Sequence, residues 1–536
     1  MAKQLFREKR AKDMDVIIVA GMSKDQGKQY SVYRKHQLTR QGKVMNYTNL
    51  RELFGLSAPD EPELQMPYLA GIYLYNYLTR RGLQCALINF LDRQTDDLKK
   101  LLSNNPSVIA ISTTYLNNIR EVKRVTEIIR KHAPDVKIVI GGTLIFNSYA
   151  IYRLKDTDYD TDSCAPDYFF VNQEKHFRED IDVFVIDEQG ESTLAQLAVR
   201  IKNGQDYSDL SNIAYYRDDR LVITNRVPEH NSFSEDLIDW EHTPQEYLHP
   251  VFPMRGSRGC PFKCGFCNFG PGRTFRLKPP QIFSQEIAAL VNTGIVKVIR
   301  FTDDNLFLNR KQAETYCRHI LKSAPGVQWT SFIRASSITR DNVTLLKDSG
   351  CVLAQIGIES GDRRILKEMN KRATPEMYLE AIDLLNSHGI STQLYIIIGY
   401  PRETMETIEN TVALLNQFAH EGPAVNQLLV FPFTFAPLSP VYEPAARRKY
   451  RLSGYMQHWM HQTMTSQEAF EQSLRIYDHV QNLHPNYGVD EFHQVPGAKL
   501  KKMYQLRAKI QAAEGANKNQ KSLDRLWSDL KAVVAS

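Results

Sequence analysis

Residues 255–267, Arg255-Gly256-Ser257-Arg258-Gly259-Cys260-Pro261-Phe262-Lys263-Cys264-Gly265-Phe266-Cys267, decide how the rest of the chain reads. Three cysteines at Cys-x3-Cys-x2-Cys spacing can turn back within one short loop so that three thiolates face one concavity, as an iron–sulfur cluster requires. A four-iron cubane held by three sulfurs leaves one iron open to a small molecule, by the logic that separates open catalytic zinc sites from closed structural ones. A zinc knuckle needs a fourth ligand, and the nearest histidines, His249 and His319, lie upstream beside a proline and beyond the next predicted strand. Cys85, Cys164, Cys317 and Cys351 are scattered, as inert core or surface thiols are.

The whole chain sets bounds on what surrounds this loop. At 536 residues it has room for two or three domains at roughly 150 residues each. Its 42% hydrophobic and 24% charged content is that of an ordinary globular protein. A net charge of +6, dispersed along this length, is no argument for a nucleic-acid partner. Residues 1–15 lack an apolar segment, and no run of about 18 uncharged apolar residues follows, so no membrane partner is expected and the cytoplasm is the expected location. Seven cysteines, three of them clustered, suit a reducing compartment better than a disulfide framework.

Upstream of the cysteines, residues 15–21 predict a short buried strand, and residues 22–65, without clean periodicity, a long excursion over the strand edge. From residue 66 the pattern is regular: a helix over 68–81 stopped by Gly82, a strand over 85–91, a strand over 107–112, a helix over 119–132 and a strand over 136–140. This alternation predicts a parallel, doubly wound sheet, with ligands beyond the carboxyl ends of its strands. Gly21, Ser112, Thr113, Thr114, Gly141, Gly142 and Thr143 stand there. Residues 146–181 read as a surface insertion. The sheet resumes over 182–186, Asp187 to Thr193 opens a helix reaching about 201, and 213–224 form a hairpin. Domain bounds of 1–227, a linker over 228–250, 251–440 and 441–536 follow.

After the cysteines a strand–helix repeat sets in. Strands are predicted over 251–255, 296–302, 328–333, 352–358, 392–398 and 427–431, with helices over 281–292, 310–322, 342–349, 374–387 and 404–419 between them. Gly294, Gly350 and Gly389 close three of the helices, and Pro375 opens one. Six repeats fall short of the eight of a closed barrel. At the strand ends stand the cysteine loop, Asp303-Asp304-Asn305, Arg334-Ala335-Ser336, Glu359-Ser360-Gly361, Gly399-Tyr400-Pro401 and Pro432-Phe433-Thr434, a polar ring over apolar strands. Asn305 and Ser336 also suit simple turns. Beyond Pro440 the chain reads as mostly helical: an aromatic helix over 450–464 with Tyr455, His458, Trp459 and His461, and solvent-facing helices over 499–536.

With Phe266 before the third cysteine, the loop resembles the signature of the radical S-adenosylmethionine (radical SAM) superfamily. The resemblance implies a 4Fe–4S cluster on Cys260, Cys264 and Cys267, with S-adenosylmethionine (SAM) chelated at the open iron and cleaved to a 5′-deoxyadenosyl radical. It places Phe266, Asp303, Arg334, Ser336, Glu359 and Gly399 around SAM, with Asp303 at the amino group, Glu359 at the ribose and Gly399 near the adenine. Arg273 and Arg276, just past the cysteines, are candidates to stabilise the anionic cluster or the SAM carboxylate. The first half resembles the cobalamin-binding domain of one branch of the superfamily, which implies cobalamin at Ser112, Thr113, Thr114, Gly141, Gly142 and Glu188. No Asp-x-His-x-x-Gly is present, so cobalamin is expected without a lower histidine ligand. The expected fold is α/β: a Rossmann-like cobalamin-binding-type domain, a partial (β/α)6 TIM-like barrel and a helical C-terminal region. The expected activity is methylation of an unactivated carbon of a small metabolite or peptide, with an electron donor such as flavodoxin or ferredoxin. The alternative is an oxidative cyclase or rearranging enzyme with the same domains and no methyl transfer.

Overall fold

The structure is a computed structural model, and it describes the chain apart from residues 1–13, 22–35, 57–65, 173–175, 241–242, 270–274, 419–420, 482, 489–490 and 517–519. The chain divides into two compact units, residues 1–27 with 67–248 and residues 28–66 with 249–536.

The first unit is built on a seven-stranded sheet in the order Cys85–Ile88, Val16–Val19, Val108–Ser112, Lys137–Gly141, Val183–Val185, Ile213–Arg217, Arg220–Ile223. The first five strands are parallel and the last two antiparallel. Val16–Val19 and Val108–Ser112 are buried at every position, as continuous apolar strands covered on both faces must be. Chain order reverses between these two strands, the switch point where doubly wound sheets open a crevice. Gly71 lets the helix Leu69–Thr79 lie directly on the sheet: a Cβ there would sit 2.8 Å from the Ala20 Cβ and 3.0 Å from the Leu87 Cδ1.

The segment expected as a surface insertion contributes to the core. It opens with the helix Thr143–Tyr152, and Phe169 and Phe170 pack on Phe184 at ring-centroid separations of 5.6 and 5.1 Å. Burial of three adjacent aromatics outweighs the polar composition around them. Residues 228–248, read from composition as linker, lie in the first unit, where Glu229 caps the helix Glu191–Lys202. Its carboxylate accepts from the backbone nitrogens of Ser192 at 3.0 Å and Thr193 at 2.7 Å.

The second unit holds six parallel strands in chain order, Val251–Met254, Val298–Phe301, Gln328–Phe332, Cys351–Glu359, Ser391–Ile398 and Asn426–Pro432. A short strand, His484–Pro485, extends the far edge. Helices Pro280–Asn292, Arg310–Ser323, Val343–Asp348, Pro375–Ser387 and Met405–Leu415 connect them. Gly294, Gly350 and Gly389 follow three of these helices with φ of 73°, 93° and 68°, the left-handed cap that glycine permits.

Three expectations for this unit are corrected. Residues 39–56 are part of it rather than an excursion over the first sheet. Leu38, Met45, Tyr47 and Leu50 join one apolar cluster with Met503, Ile510, Leu530 and Val534, and the Arg40 guanidinium stands 4.8 Å from the Trp527 ring. The helices Gly497–Gly515 and Gln520–Ala535 are therefore not solvent-facing all round; each buries an apolar stripe in that cluster. The aromatic segment expected as a helix is a three-stranded meander, Ser453–Tyr455, His458–His461 and Met464–Thr465. Arg451, Gly454 and Met456 at φ of 48°, 98° and 53° end helical geometry there, and alternate side chains Trp459 and His461 turn inward.

Candidate active site

The strand Val251–Met254 delivers the chain into residues 255–259, and Asp303 pins that loop. The Asp303 carboxylate accepts from the Gly256 nitrogen at 3.0 and 3.1 Å, from the Ser257 hydroxyl at 2.5 Å and from the Ser257 nitrogen. Burial pushes this carboxyl up to about 6, against the pull of those donors. Asp303, expected at the SAM amino group, thus has its oxygens committed to the loop. Its neighbours Asp304 and Asn305 reach the cavity instead. Arg276 lies in the ribbon that pairs Arg258 with it, and Arg273 lies outside the described residues.

The cysteine loop is tied down from behind. The Gly265 nitrogen donates to the Met369 carbonyl at 2.7 Å, the Val441 nitrogen to the Gly265 carbonyl at 2.9 Å, and the Asn370 amide to the Lys263 carbonyl at 2.8 Å. Gly265 is required by contact: a Cβ there would overlap the Tyr400 hydroxyl and lie 3.3 Å from its Cζ. The result is that Cys260, Cys264 and Cys267, none of them in a disulfide, line one cavity of about 400 Å³. Among the described residues no three His, Cys, Asp or Glu side chains close on a point as one metal ion would need. Three thiols facing a shared cavity suit an inorganic cluster, which distributes its ligands over separate irons.

The other walls come from successive strand ends. Phe262, Phe266 and Phe269 extend the loop's apolar face, and Arg334, Ser336, Glu359 and Lys371 supply polarity. Glu359, at a left-handed φ of 66°, pairs with the Lys371 ammonium at 2.7 Å. Gly357 makes room for that pair, since a Cβ there would lie 2.9 Å from the Lys371 Nζ. The Arg334 guanidinium donates to the Lys371 carbonyl and lies 3.9 Å from the Phe262 ring centre. Both side-chain polar atoms of Asn305, a residue 2% exposed on the cavity wall, lack a hydrogen-bond partner. A buried carboxamide left open in this way costs free energy unless a ligand completes it.

Gly399 does not line the cavity. It has φ of 95°, and a Cβ there would sit 2.6 Å from both the Ala469 Cβ and the Trp459 Cη2. Its carbonyl meets the His461 Nε2 at 3.0 Å and its nitrogen donates to Glu403, whose fully buried carboxyl is pushed up to about 8 by desolvation. Beneath the site runs a ladder that sequence reading missed. Gln355, Gln393 and Gln427 are in register on three neighbouring strands, with amide bonds of 2.7 and 2.8 Å from one to the next. Gln355 and Tyr395, joined at 2.7 Å, bring the ladder to the cavity. One signal could have found it: a glutamine inside each of three consecutive apolar strands. Nothing in the sequence marked Lys371.

In the first unit, Ser112, Thr113 and Thr114 follow one strand, and Gly141 and Gly142 end the next. The Thr113 nitrogen and hydroxyl both donate to the Gly141 carbonyl at 2.8 Å. Gly142, at φ of 102°, brings its Cα face so close that a Cβ would lie 3.0 Å from the Thr113 nitrogen. Bare backbone at the carboxyl end of a parallel sheet is a surface on which a large planar group can rest. Glu188 stands after a third strand, ahead of the helix Glu191–Lys202.

Comparison with known proteins agrees with both halves. Residues 254–415 match the radical SAM superfamily and residues 61–159 match the B12 binding domain. The anaerobic magnesium-protoporphyrin IX monomethyl ester cyclase of Rubrivivax gelatinosus is 26% identical over 68% of this chain and 64% of its own length. The bacteriochlorophyllide d C-12(1)-methyltransferase of Chlorobaculum tepidum is 26% identical over 65% of this chain and 68% of its own. The radical SAM methyltransferase TsrM of Kitasatospora setae, solved with cobalamin and a [4Fe-4S] cluster, superposes with a TM-score of 0.55 at 15% identity, covering 80% of this chain and 77% of that one. The chain spans between 44% and 64% of the length of the first curated relatives it matches. A 4Fe–4S cluster with SAM, and cobalamin, are the cofactors of these two domain families. The chain carries a B12-binding domain and, after it, a radical SAM domain.

Proposed function

We propose that this protein is a cobalamin-dependent radical SAM methyltransferase acting on an unactivated carbon of a small metabolite or peptide. The observation that carries the reading is the meeting, in one cavity, of Cys260, Cys264 and Cys267 with the unbonded carboxamide of Asn305. When bound, the cluster supplies one-electron cleavage of a sulfonium, and cobalamin supplies a methyl group for a carbon radical. The chain's own residues do the rest. Asn305 can accept from an ammonium and donate to a carboxylate, which is the pairing an amino acid's two ends need. Asp304, on the same wall, adds negative charge for the ammonium. Glu359, held by Lys371, offers oxygens to vicinal hydroxyls. Phe262, Phe266, Phe332 and Phe431 line the remaining space and exclude water and stray hydrogen donors, which a primary alkyl radical would otherwise attack.

Similarity to a bacteriochlorophyllide methyltransferase supports methyl transfer, and the similarity to an ester cyclase favours the second reading, ring closure without methyl transfer. Reduced protein incubated with SAM and substrate separates them: S-adenosylhomocysteine and 5′-deoxyadenosine both rise for a methyltransferase, and only the latter for a cyclase. Cys264→Ala is expected to remove the brown cluster absorbance and all SAM cleavage; survival of both refutes the site. Seven cysteines, none in a disulfide, suit the reducing cytoplasm. Among the described residues no helix is long and apolar enough to cross a membrane.

A further inference from the structure

The glutamine ladder beneath the cavity ends, at its far side, in a buried ion pair. Arg507 donates to the Glu491 carboxylate at 2.6 and 3.0 Å, and both residues are buried. A carboxylate can only accept, so the Tyr504 hydroxyl, hydrogen-bonded to Glu491, donates to it. The Tyr504 oxygen accepts in turn from the Gln427 amide nitrogen, which also faces the Gly488 carbonyl, another pure acceptor, at 3.5 Å. The Gln427 oxygen is left to accept from Gln393 Nε2 at 2.8 Å. The Gln393 oxygen then accepts from Gln355 Nε2 at 2.7 Å and from the Tyr395 hydroxyl at 2.5 Å. Reversing any one amide would set donor against donor or acceptor against acceptor, so the ion pair fixes the direction of the whole series. Its last group is the Gln355 carbonyl oxygen. Among the described residues nothing donates to that oxygen, although Gln355 is 2% exposed and lines the cavity. Gln355 lies four residues before Glu359 on one strand, roughly 13 Å towards the strand's amino end. The wall around it is aromatic: Tyr395 packs on Phe332 and Phe431 at ring-centre separations of 5.2 and 6.2 Å, and all three line the cavity. A buried amide oxygen without a donor is completed by a ligand that brings one.

We propose that Gln355 selects the substrate: its carbonyl oxygen receives the hydrogen of a neutral hydroxyl or N–H on a molecule whose apolar body lies on Phe332, Tyr395 and Phe431. The proposal rests on the reading that this cavity is the active site, and it names the kind of substrate that site takes. An ether or ester oxygen in the same place would bring a lone pair against the lone pairs of Gln355 and is refused. A charged ammonium would lose its hydration against an apolar wall and is disfavoured there.

The test is equilibrium dialysis of the reconstituted protein against two pairs of probes, 2-naphthol with 2-methoxynaphthalene and indole with N-methylindole. Within each pair the added methyl removes the donor hydrogen and enlarges the apolar body, so burial alone would favour the methylated probe. Wild type is expected to bind the donor of at least one pair about threefold to tenfold more tightly, the worth of one neutral hydrogen bond. Preference in the naphthol pair reports a hydroxyl site, and preference in the indole pair an N–H site. Gln355→Met keeps an unbranched side chain and leaves the Gln393 oxygen its bond from Tyr395, and in it the preference is expected to vanish. Equal or tighter binding of both methylated probes by wild type overturns the proposal, and so does a preference that survives in Gln355→Met. Displacement of the preferred probe by saturating SAM gives the oxygen to SAM and overturns it too. Should Gln355→Met fail to fold, the two wild-type pairs decide. If wild type with dithionite cleaves no SAM, the proposed function fails, and the probe preference still decides Gln355.

Discussion

Gly265→Ala tests how the cysteine loop is held. The added methyl would overlap the Tyr400 hydroxyl, and Tyr400 is not a flexible tip that can swing away. It is 1% exposed, its hydroxyl donates to the Glu368 carbonyl at 3.3 Å, and its ring packs on Phe433 at 5.4 Å. The loop must move, at a cost of about 1–3 kcal/mol for overpacking. The 2.7 Å bond from Gly265 to Met369 lies in the displaced backbone, and losing it adds about 0.5–1.5 kcal/mol. A total of about 1.5–4.5 kcal/mol follows, concentrated on the residue beside Cys264. The assay is iron content after anaerobic reconstitution, with the urea midpoint of the apoprotein as the stability reading. Both are expected to fall. Tyr400→Phe removes the overlapping oxygen, so Gly265→Ala/Tyr400→Phe is expected to recover at least 1 kcal/mol relative to the sum of the single changes, a coupling of the size neighbouring residues show. Full iron loading in Gly265→Ala, or strict additivity in the pair, refutes the contact.

Three further outcomes follow from the geometry. Glu403 has an ordinary value of 4.5 and is held at about 8, so the folded chain keeps a proton that the unfolded chain has lost between those values. Stability from this group is full below about pH 4.5 and declines as pH rises to about 8; Glu403→Gln, neutral throughout, should flatten the decline and melt higher than wild type at pH 8, and parallel melting curves across that range would contradict it. Gln393→Leu leaves Gln427 without its 2.8 Å donor and Gln355 without one acceptor, a loss of about 2–4 kcal/mol by urea denaturation; a loss under about 0.5 kcal/mol, the scale of a surface change, would show that the ladder is not a unit. Anaerobic purification with hydroxocobalamin should give one corrinoid per chain, lowered in Gly142→Val because the 3.0 Å approach to Thr113 leaves no space for a side chain; wild type that binds none while remaining active removes cobalamin from the account.

Much of this was legible because the signals were local. Six apolar strands, glycine-closed helices and the spacing of Cys260, Cys264 and Cys267 are properties of short windows, and the barrel strands stand where periodicity puts them. What escaped was set by contacts distant in sequence. Leu38 to Leu50 look like loop residues until the helices some 450 positions later supply their apolar partners. Arg507 looks like solvent-facing charge, yet it is fully buried against Glu491 at 2.6 and 3.0 Å. Asp303 and Asn305 are two residues apart in sequence, and only the turn of the backbone decides which one serves the loop and which one faces the cavity. Tyr455, His458 and Trp459 stand at helical spacing, but Trp459 and His461, two apart, fit the period of a strand, and the left-handed residues at 451, 454 and 456 settle it.

The central claim is that the three thiols of one loop hold a cubane with an open corner for a sulfonium nucleotide. Electron paramagnetic resonance on anaerobically reconstituted, reduced protein, with and without SAM, tests it most directly. The account predicts a 4Fe–4S signal that changes when SAM is added and is absent from Cys264→Ala. Zinc in place of iron, or a cluster signal that SAM leaves unchanged, would contradict it.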